Sequence, residues 1–360
     1  MVFLGGPRQV GKTTLALGLL DRPSIRHPAY LNWDDPRVRP ALLRGELPPD
    51  QPLLVLDEIH KAPRWRNLVK GLWDTRREEH RFLVTGSARL DLYGKGGDSL
   101  HGRYHYHRLH PFSLPELGPE AGPEGVAALL RFGGFPEPLL RGEERFWRRW
   151  QRERTARVIH DDIRDLETVR EIALLDLLAE ELPHRVGSPL SYKNLAEALQ
   201  VSHETAVRWI AIFERMYVAF LVPPWGHRRI RAVRKEQKLY LWDWSMVPEE
   251  GPRFENLVAS HLLKFCHFVE DTEGHRMELR YLRDTAGREV DFVVLRDRLP
   301  LFTVECKLAE RTVAPALFYF ASRLAIPRSF QVHLGRDDHE REGGIRVLPF
   351  PALCRETGLI

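Results

Sequence analysis

The sequence predicts an α/β chain: a doubly wound parallel sheet first, a mainly helical middle next, and a second α/β unit last. Three observations predict it. A short apolar run, residues 1–4, leads into Gly6-Pro7-Arg8-Gln9-Val10-Gly11-Lys12-Thr13-Thr14 and then into the helix-forming stretch 15–20. A second apolar run, 53–56, ends on Asp57-Glu58. Near the C-terminus two alternating runs, 289–294 and 301–307, flank a turn at 296–300. In the first third, apolar runs alternate with helical stretches, the order from which parallel sheets are built.

The residues from Gly6 fit G-x-x-x-x-G-K-[ST] in full, between a strand and a helix as that phosphate loop requires. Glycines let backbone N–H groups close around phosphate oxygens, and the helix N-terminus adds a positive field. Gly6, Pro7, Arg8, Gln9, Val10, Gly11, Lys12, Thr13 and Thr14 are the expected nucleotide-binding residues. Lys12 is expected to reach the β and γ phosphates and Thr13 to hold Mg²⁺, so ATP and Mg²⁺ are the expected ligands. Residues 29–32 read as the next strand. Strand 53–56 ends on its acids, and ligands bind at the carboxyl ends of such strands. Asp57 is expected in the Mg²⁺ shell, and Glu58 as the base for the attacking water. Strand 82–85 runs into Gly86-Ser87-Ala88; Thr85 or Ser87 would sense the γ-phosphate, while Ser87 would serve equally as a helix N-cap. Arg103, at the start of the alternating run 104–109, would be either an arginine finger acting on a neighbouring subunit or an exposed ion-paired arginine. Arg64 and Arg89 are weaker finger candidates.

Composition bounds the function. A chain of 360 residues divides into two or three domains. No apolar run reaches the roughly 18 residues of a membrane span. The phosphate loop stands where a signal peptide would, and Cys266, Cys306 and Cys354 are scattered with no C-x-x-C pair. A reducing cytoplasm is the expected location, with neither zinc site nor disulfide framework. The net charge is +4 and arginine far outnumbers lysine, which suits a polyanionic partner and also a coding bias towards arginine.

The phrases GGPRQVGKTTL (5–15), LLVLDEIHKAPRW (53–65), LVTGSARLDL (83–92), GRYHYHRLHPFSLPEL (102–117) and FGGFPEPLL (132–140) resemble the AAA-type ATPases of the additional-strand, catalytic-glutamate class. More narrowly, the whole chain resembles the prokaryotic group that pairs such an ATPase with domain of unknown function 4143. The resemblance implies a P-loop ATPase whose biological role is usually unassigned. Members usually carry a helical segment ahead of the first strand that helps cover the adenine. This sequence opens on the strand, so phosphate binding is specified more firmly than the base.

In the middle, 118–125 and 132–136 read as loops. Residues 141–165 read as a helix with Arg145, Arg148, Arg149, Arg152, Arg154 and Arg157, fit either to lie along a phosphate backbone or to be a solvated linker balanced by Glu143, Glu144, Glu153 and Asp161. Helices 192–199 and 203–217, with a turn at Val201-Ser202, carry helix-turn-helix apolar spacing; strands 219–222 and 238–242 follow as a wing. This resembles a winged helix, which the family carries here. Ser202, His203, Glu204, Thr205 and Arg208 are the recognition candidates, and Arg228, Arg229 and Arg231 lie in a basic run that would clamp the backbone. Winged helices also serve as protein–protein modules.

In the last third Asp291 precedes Glu305 by 14 positions, and Glu305 and Lys307, two apart, share a strand face. This D…E-x-K pattern resembles the PD-(D/E)XK nuclease core. Asp291 and Glu305 would bind a second Mg²⁺ and Lys307 would orient the water; Glu255 fits the helix-borne acid and Gln331 an accessory. Such folds also keep the shape only to hold DNA, and an ion-paired hairpin without metal has the same pattern. Residues 343–349 read as a last strand and 351–360 as a terminal helix.

The expected organisation is an ATPase core over 1–117, a helical lid or linker over 118–180, a winged helix over 181–245 and a nuclease-like domain over 246–360. The favoured function is an ATP-hydrolysing, DNA-binding motor, a homo-oligomeric ring for which a hexamer is one expected size, that moves or remodels duplex or branched DNA in repair, recombination or branch migration. The alternatives are an ATP-gated, Mg²⁺-dependent nuclease acting against foreign DNA, and a nucleotide switch for a protein partner.

Overall fold

The apolar runs of the first 110 residues form a five-stranded, all-parallel sheet. A computed structural model describes residues 1–86, 100, 102–163, 169–226, 236–309, 312–341 and 343–360. The chain divides into two compact units, Met1–His110 with Arg215–Tyr217, and Pro111–Glu214 with Val218–Ile360.

In the first unit the elements run β1 (Val2–Gly5), α1 (Lys12–Gly18), β2 (Tyr30–Asn32), α2 (Val38–Arg44), β3 (Leu53–Asp57), α3 (Trp65–Arg76), β4 (Arg81–Thr85) and β5 (His105–Arg108). The strand order is β2-β3-β4-β1-β5. Leu54, Val55 and Leu56 of β3 are fully buried, as the unbroken apolar run of a strand covered on both faces requires. Helix α3 turns Trp65, Val69 and Leu72 into the same core, and α1 contributes Ala16. Because all strands run the same way, Gly5, Asn32, Asp57, Thr85 and Arg108 line up along one edge. That edge is where an open α/β sheet receives its ligand. Gly6 turns out of β1 with φ 144°, and a Cβ there would stand 2.3 Å from the Leu109 carbonyl oxygen, so only glycine fits.

The second unit opens with α4 (Pro123–Phe132), α5 (Pro136–Arg141), α6 (Glu144–Arg157), α7 (Val169–Glu181), α8 (Tyr192–Leu199) and α9 (His203–Arg215). The single helix expected over 141–165 is instead α5's end, a break at Gly142, α6, and a π-helical turn over Val158–Ile163. Gly142 adopts φ 64°, the left-handed conformation that ends α5. Ser191 and Ser202 begin the next two helices: their hydroxyls accept N–H bonds from Asn194 (3.2 Å) and Thr205 (3.1 Å). Strands β6 (Ala219–Val222) and β7 (Lys238–Leu241) follow these helices and pair antiparallel.

Then follow α10 (Glu250–Glu273), β8 (Met277–Arg283), β9 (Glu289–Arg296), β10 (Leu299–Lys307), α11 (Pro315–Leu324), β11 (Ser329–His333), β12 (His339–Arg341), β13 (Ile345–Pro349) and α12 (Phe350–Thr357). They build a six-stranded mixed sheet, order β12-β13-β11-β10-β9-β8. β8, β9 and β10 form an antiparallel meander, whereas β10, β11 and β13 run parallel. Leu317, Phe320 and Leu324 of α11 pack with Val290, Val293 and Leu295 of β9 in one core. The fold is thus a parallel α/β sheet followed by a helical region and a mixed-sheet α/β domain.

Candidate functional site

The phosphate loop joins the end of β1 to the start of α1. Gly11, at φ 102°, is the N-cap that turns the chain into α1. The Lys12 side chain is buried and its ammonium donates to the carbonyls of Gly6 (2.9 Å) and Pro7 (2.6 Å), so the loop wraps its own cation. Thr13 follows and donates its hydroxyl to Asp57 Oδ2 at 3.1 Å. Two elements far apart in sequence thereby meet at one point. A hydroxyl and a carboxylate are hard oxygen donors, so the pair fits the Mg²⁺ that accompanies a bound nucleotide.

Asp57 is buried and held by more partners than the sequence suggests. Tyr30, at the start of β2, donates to Oδ2 at 2.5 Å, and the Thr85 hydroxyl donates to Oδ1. Asn32 donates to the Tyr30 oxygen at 3.0 Å. Burial and then the Asp57 hydrogen bond push the Tyr30 phenol upward, so it stays a donor. Tyr30 and Asn32 went unread as site residues; their signal is a polar residue on a strand that ends at the ligand edge. Arg108 is a third such residue, in register with Gly5 at that edge.

Glu58 adopts a left-handed backbone, φ 55°, which turns the chain sharply after β3. Its carboxylate lies 3.2 Å from Lys61 Nζ and 3.7 Å from His60 Nε2. Burial lowers the His60 imidazole below its ordinary range. Of the two sensor residues, Thr85 is the one bonded to Asp57; Ser87 lies outside the described residues, as does Arg89. Arg103 makes a two-pronged pair with Asp74 of α3, at 2.9 and 3.3 Å. It precedes β5, at the sheet edge opposite the phosphate loop. Arg64 is the left-handed residue that starts α3.

In the second unit Glu255, Asp291, Glu305 and Lys307 do come together, but a lysine from β7 stands among them. Lys238 Nζ lies 2.7 Å from Glu289, 3.2 Å from Glu255 and 3.4 Å from Asp291. Tyr240, two residues on and on the same strand face, donates to Glu255 at 2.6 Å. Asp291 accepts the Cys306 N–H at 2.9 Å, and Glu305 accepts the Asp291 N–H at 3.3 Å and Lys307 at 2.6 Å. Gln331 accepts the Ala314 N–H at 2.9 Å. Burial, then the neighbouring Asp291 charge, raises the Glu255 and Glu305 carboxyls well above the usual carboxylate range. Burial alone would lower the Lys238 ammonium, but Asp291, Glu255 and Glu289 outweigh it and raise it. Among the described residues no group of three or more His, Cys, Asp or Glu is arranged to hold a metal ion. The expected second Mg²⁺ does not fit this arrangement, because an ammonium shares its oxygens.

The expected nucleic-acid residues divide. His203, Glu204 and Arg208 are exposed on α9, while Thr205 is half-buried and shares its hydroxyl with Ser202 at 2.9 Å. Arg228, Arg229 and Arg231 lie outside the described residues. On α6, Arg148 pairs with Glu144, and Arg149 and Arg157 pair with Glu153. Arg154 is buried with its guanidinium 4.1 Å over the Phe135 ring, and burial lowers it to about 10. Arg145 and Arg152 are exposed.

A parallel sheet with a phosphate loop and a helix on its first strand, and an aspartate meeting the loop's threonine, defines a P-loop nucleotide-dependent protein. Comparison agrees: residues 1–118 match the model of an AAA domain family and residues 250–353 that of a domain of unknown function, DUF4143. Residues 124–249 match a further domain of unknown function, DUF8612. An uncharacterized protein of Mycobacterium tuberculosis is 27% identical over 69% of this chain and 55% of its own length. Two uncharacterized proteins of Methanocaldococcus jannaschii are 24% and 23% identical, over 85% and 97% of this chain and 74% and 83% of theirs. The chain thus spans about half the length of its mycobacterial relatives. Among the described residues no helix is long and apolar enough to cross a membrane.

Proposed function

We propose that the protein hydrolyses ATP and uses the turnover to move or remodel DNA. The observation that carries the hydrolysis is the meeting of Thr13 and Asp57 beside the phosphate loop. Lys12 would bind the β and γ phosphates, and the loop's N–H groups would orient them. Mg²⁺, held by Thr13 and Asp57, would neutralise phosphate charge when bound. Glu58 would take the proton of the attacking water. Lys61, 3.2 Å away, positions that carboxylate, and the left-handed turn aims it off the end of β3.

DNA is the proposed partner because α8, α9, β6 and β7 carry a winged-helix arrangement, with His203, Glu204 and Arg208 exposed near the start of the second helix. The net charge of +4 favours a polyanion. The proposed working form is a homo-oligomer in which Arg103 serves a neighbour's site, since in its own sheet it stands at the opposite edge.

The test measures ATP hydrolysis without DNA, with linear duplex and with a four-way junction, following the DNA on the same gel. Turnover stimulated by DNA with strands intact is expected. Turnover indifferent to both DNAs would overturn the DNA reading in favour of a protein-partner switch, and cut strands would replace it with a nuclease.

A further inference from the structure

We infer that Lys238 is the resident cation of the acidic cluster in the C-terminal fold, and that it closes this cluster to divalent metal and to metal-dependent strand cutting. The inference goes beyond the ATPase reading and does not depend on it. Lys238 belongs to β7, in the wing, and not to the strands that carry the D…E-x-K pattern. Its register against Val222 and the alternation of β7 send Lys238 and Tyr240 to the same face, towards α10 and β9.

The oxygens that a metal would need are already engaged. Glu255 Oε1 takes Lys238 and Tyr240, and Asp291 Oδ1 takes Lys238. Asp291 Oδ2 takes the Cys306 N–H, Glu305 Oε1 takes Lys307, and Glu305 Oε2 takes the Asp291 N–H. The remaining Glu255 oxygen faces backbone: a Cβ built on Gly187 would stand 3.1 Å from Oε2. Lys238 itself is 1% exposed, so it cannot swing into water while β7 stays paired. An ammonium and a divalent ion within about 4 Å repel strongly in so dry a place, so the two occupants exclude each other. The likeness to a nuclease therefore lies in the strands and acids, while the charge that would run the chemistry is replaced by a side chain.

The test titrates Mn²⁺ into the nucleotide-free full-length chain and reads free Mn²⁺ by its electron paramagnetic resonance signal. The wild type is expected to take up no ion that depends on Glu305. Lys238→Met is expected to take up one Mn²⁺ per chain, lost again when Glu305→Gln is added. Uptake by the wild type that Glu305→Gln abolishes would overturn the inference and needs no lysine variant. So would Mn²⁺-dependent nicking of a supercoiled plasmid by the wild type, if Glu305→Gln removes it. A Lys238→Met chain with unchanged circular dichroism and no gained ion would overturn it as well.

Discussion

The Asp57 carboxylate accepts hydroxyls from Thr13, Tyr30 and Thr85, so its oxygens are aimed before a nucleotide arrives. Tyr30 and Thr85 both lie outside the loop, and of the two Tyr30 was not among the expected site residues. Tyr30→Phe keeps the ring and deletes one hydrogen bond to a charged group, worth about 1.5–3 kcal/mol. ATP turnover should fall by about tenfold or more with nucleotide binding retained; phosphate release at wild-type rate would remove Tyr30 from the site. A second residue ties stability to pH. His261 is fully buried, accepts the Leu114 N–H at Nε2 (2.9 Å) and donates from Nδ1 to the Leu257 carbonyl (2.8 Å), which fixes the neutral tautomer. Burial lowers its imidazole to about 4. The unfolded chain takes up that proton near 6.5, the folded chain only near 4, so the stabilisation is complete above about pH 6.5 and is lost as pH falls towards 4. Chemical denaturation should find the protein about 2 kcal/mol less stable at pH 5 than at pH 7 from this group. His261→Gln keeps an acceptor without a titrating proton, and the difference should shrink; an unchanged difference would assign it elsewhere.

At the level of elements, α8 and α9 each begin on a serine whose hydroxyl caps the helix. Ser191→Ala and Ser202→Ala should each lower stability by about 1 kcal/mol, and the two should add because they cap different helices. Thermal unfolding of the single and double variants checks both numbers. The turn between these two helices, the apolar run of β3 and the complete phosphate loop were all legible in the sequence, because each is set by neighbours within a few positions. The alternation of the two strands made Asp291 and Glu305 legible as one group, and the likeness to a nuclease core pointed to Glu255 on the helix before them. Lys238 was not: it stands 53 positions before Asp291, and a short alternating run tells which residues share a face but not what that face meets. Strand β12 was missed for another reason. His339, Glu340 and Arg341 are polar, form a sheet edge, and carry no apolar period to read. The π-helical turn at Val158–Ile163 was likewise invisible, since one extra residue in a helical turn leaves the apolar pattern nearly unchanged.

For the molecule as a whole, the question is whether one chain completes its own site. Arg103 precedes β5 and pairs with Asp74, while the phosphate loop lies at the other end of the same sheet. An arginine so placed serves hydrolysis only if a second subunit presents its loop to this edge. Arg103→Ala should then bind ATP and turn it over at least about a hundredfold more slowly. Glu58→Gln should also bind ATP and fail to hydrolyse it, through loss of the base. The two defects lie on different parts of the chain, so mixing them discriminates. In a mixed oligomer, an Arg103→Ala subunit keeps its Glu58 and receives the Arg103 of its Glu58→Gln neighbour. Part of the wild-type turnover should return on mixing two inactive preparations. Asp74→Asn separates the finger from its ion pair: it removes the carboxylate charge while keeping the guanidinium, and should leave most turnover intact. Should mixing restore nothing while each variant still binds ATP and still assembles, Arg103 acts only on its own fold through Asp74. Hydrolysis would then have to be completed by another arginine, and Arg108, at the loop's own edge, is the residue whose replacement would decide it.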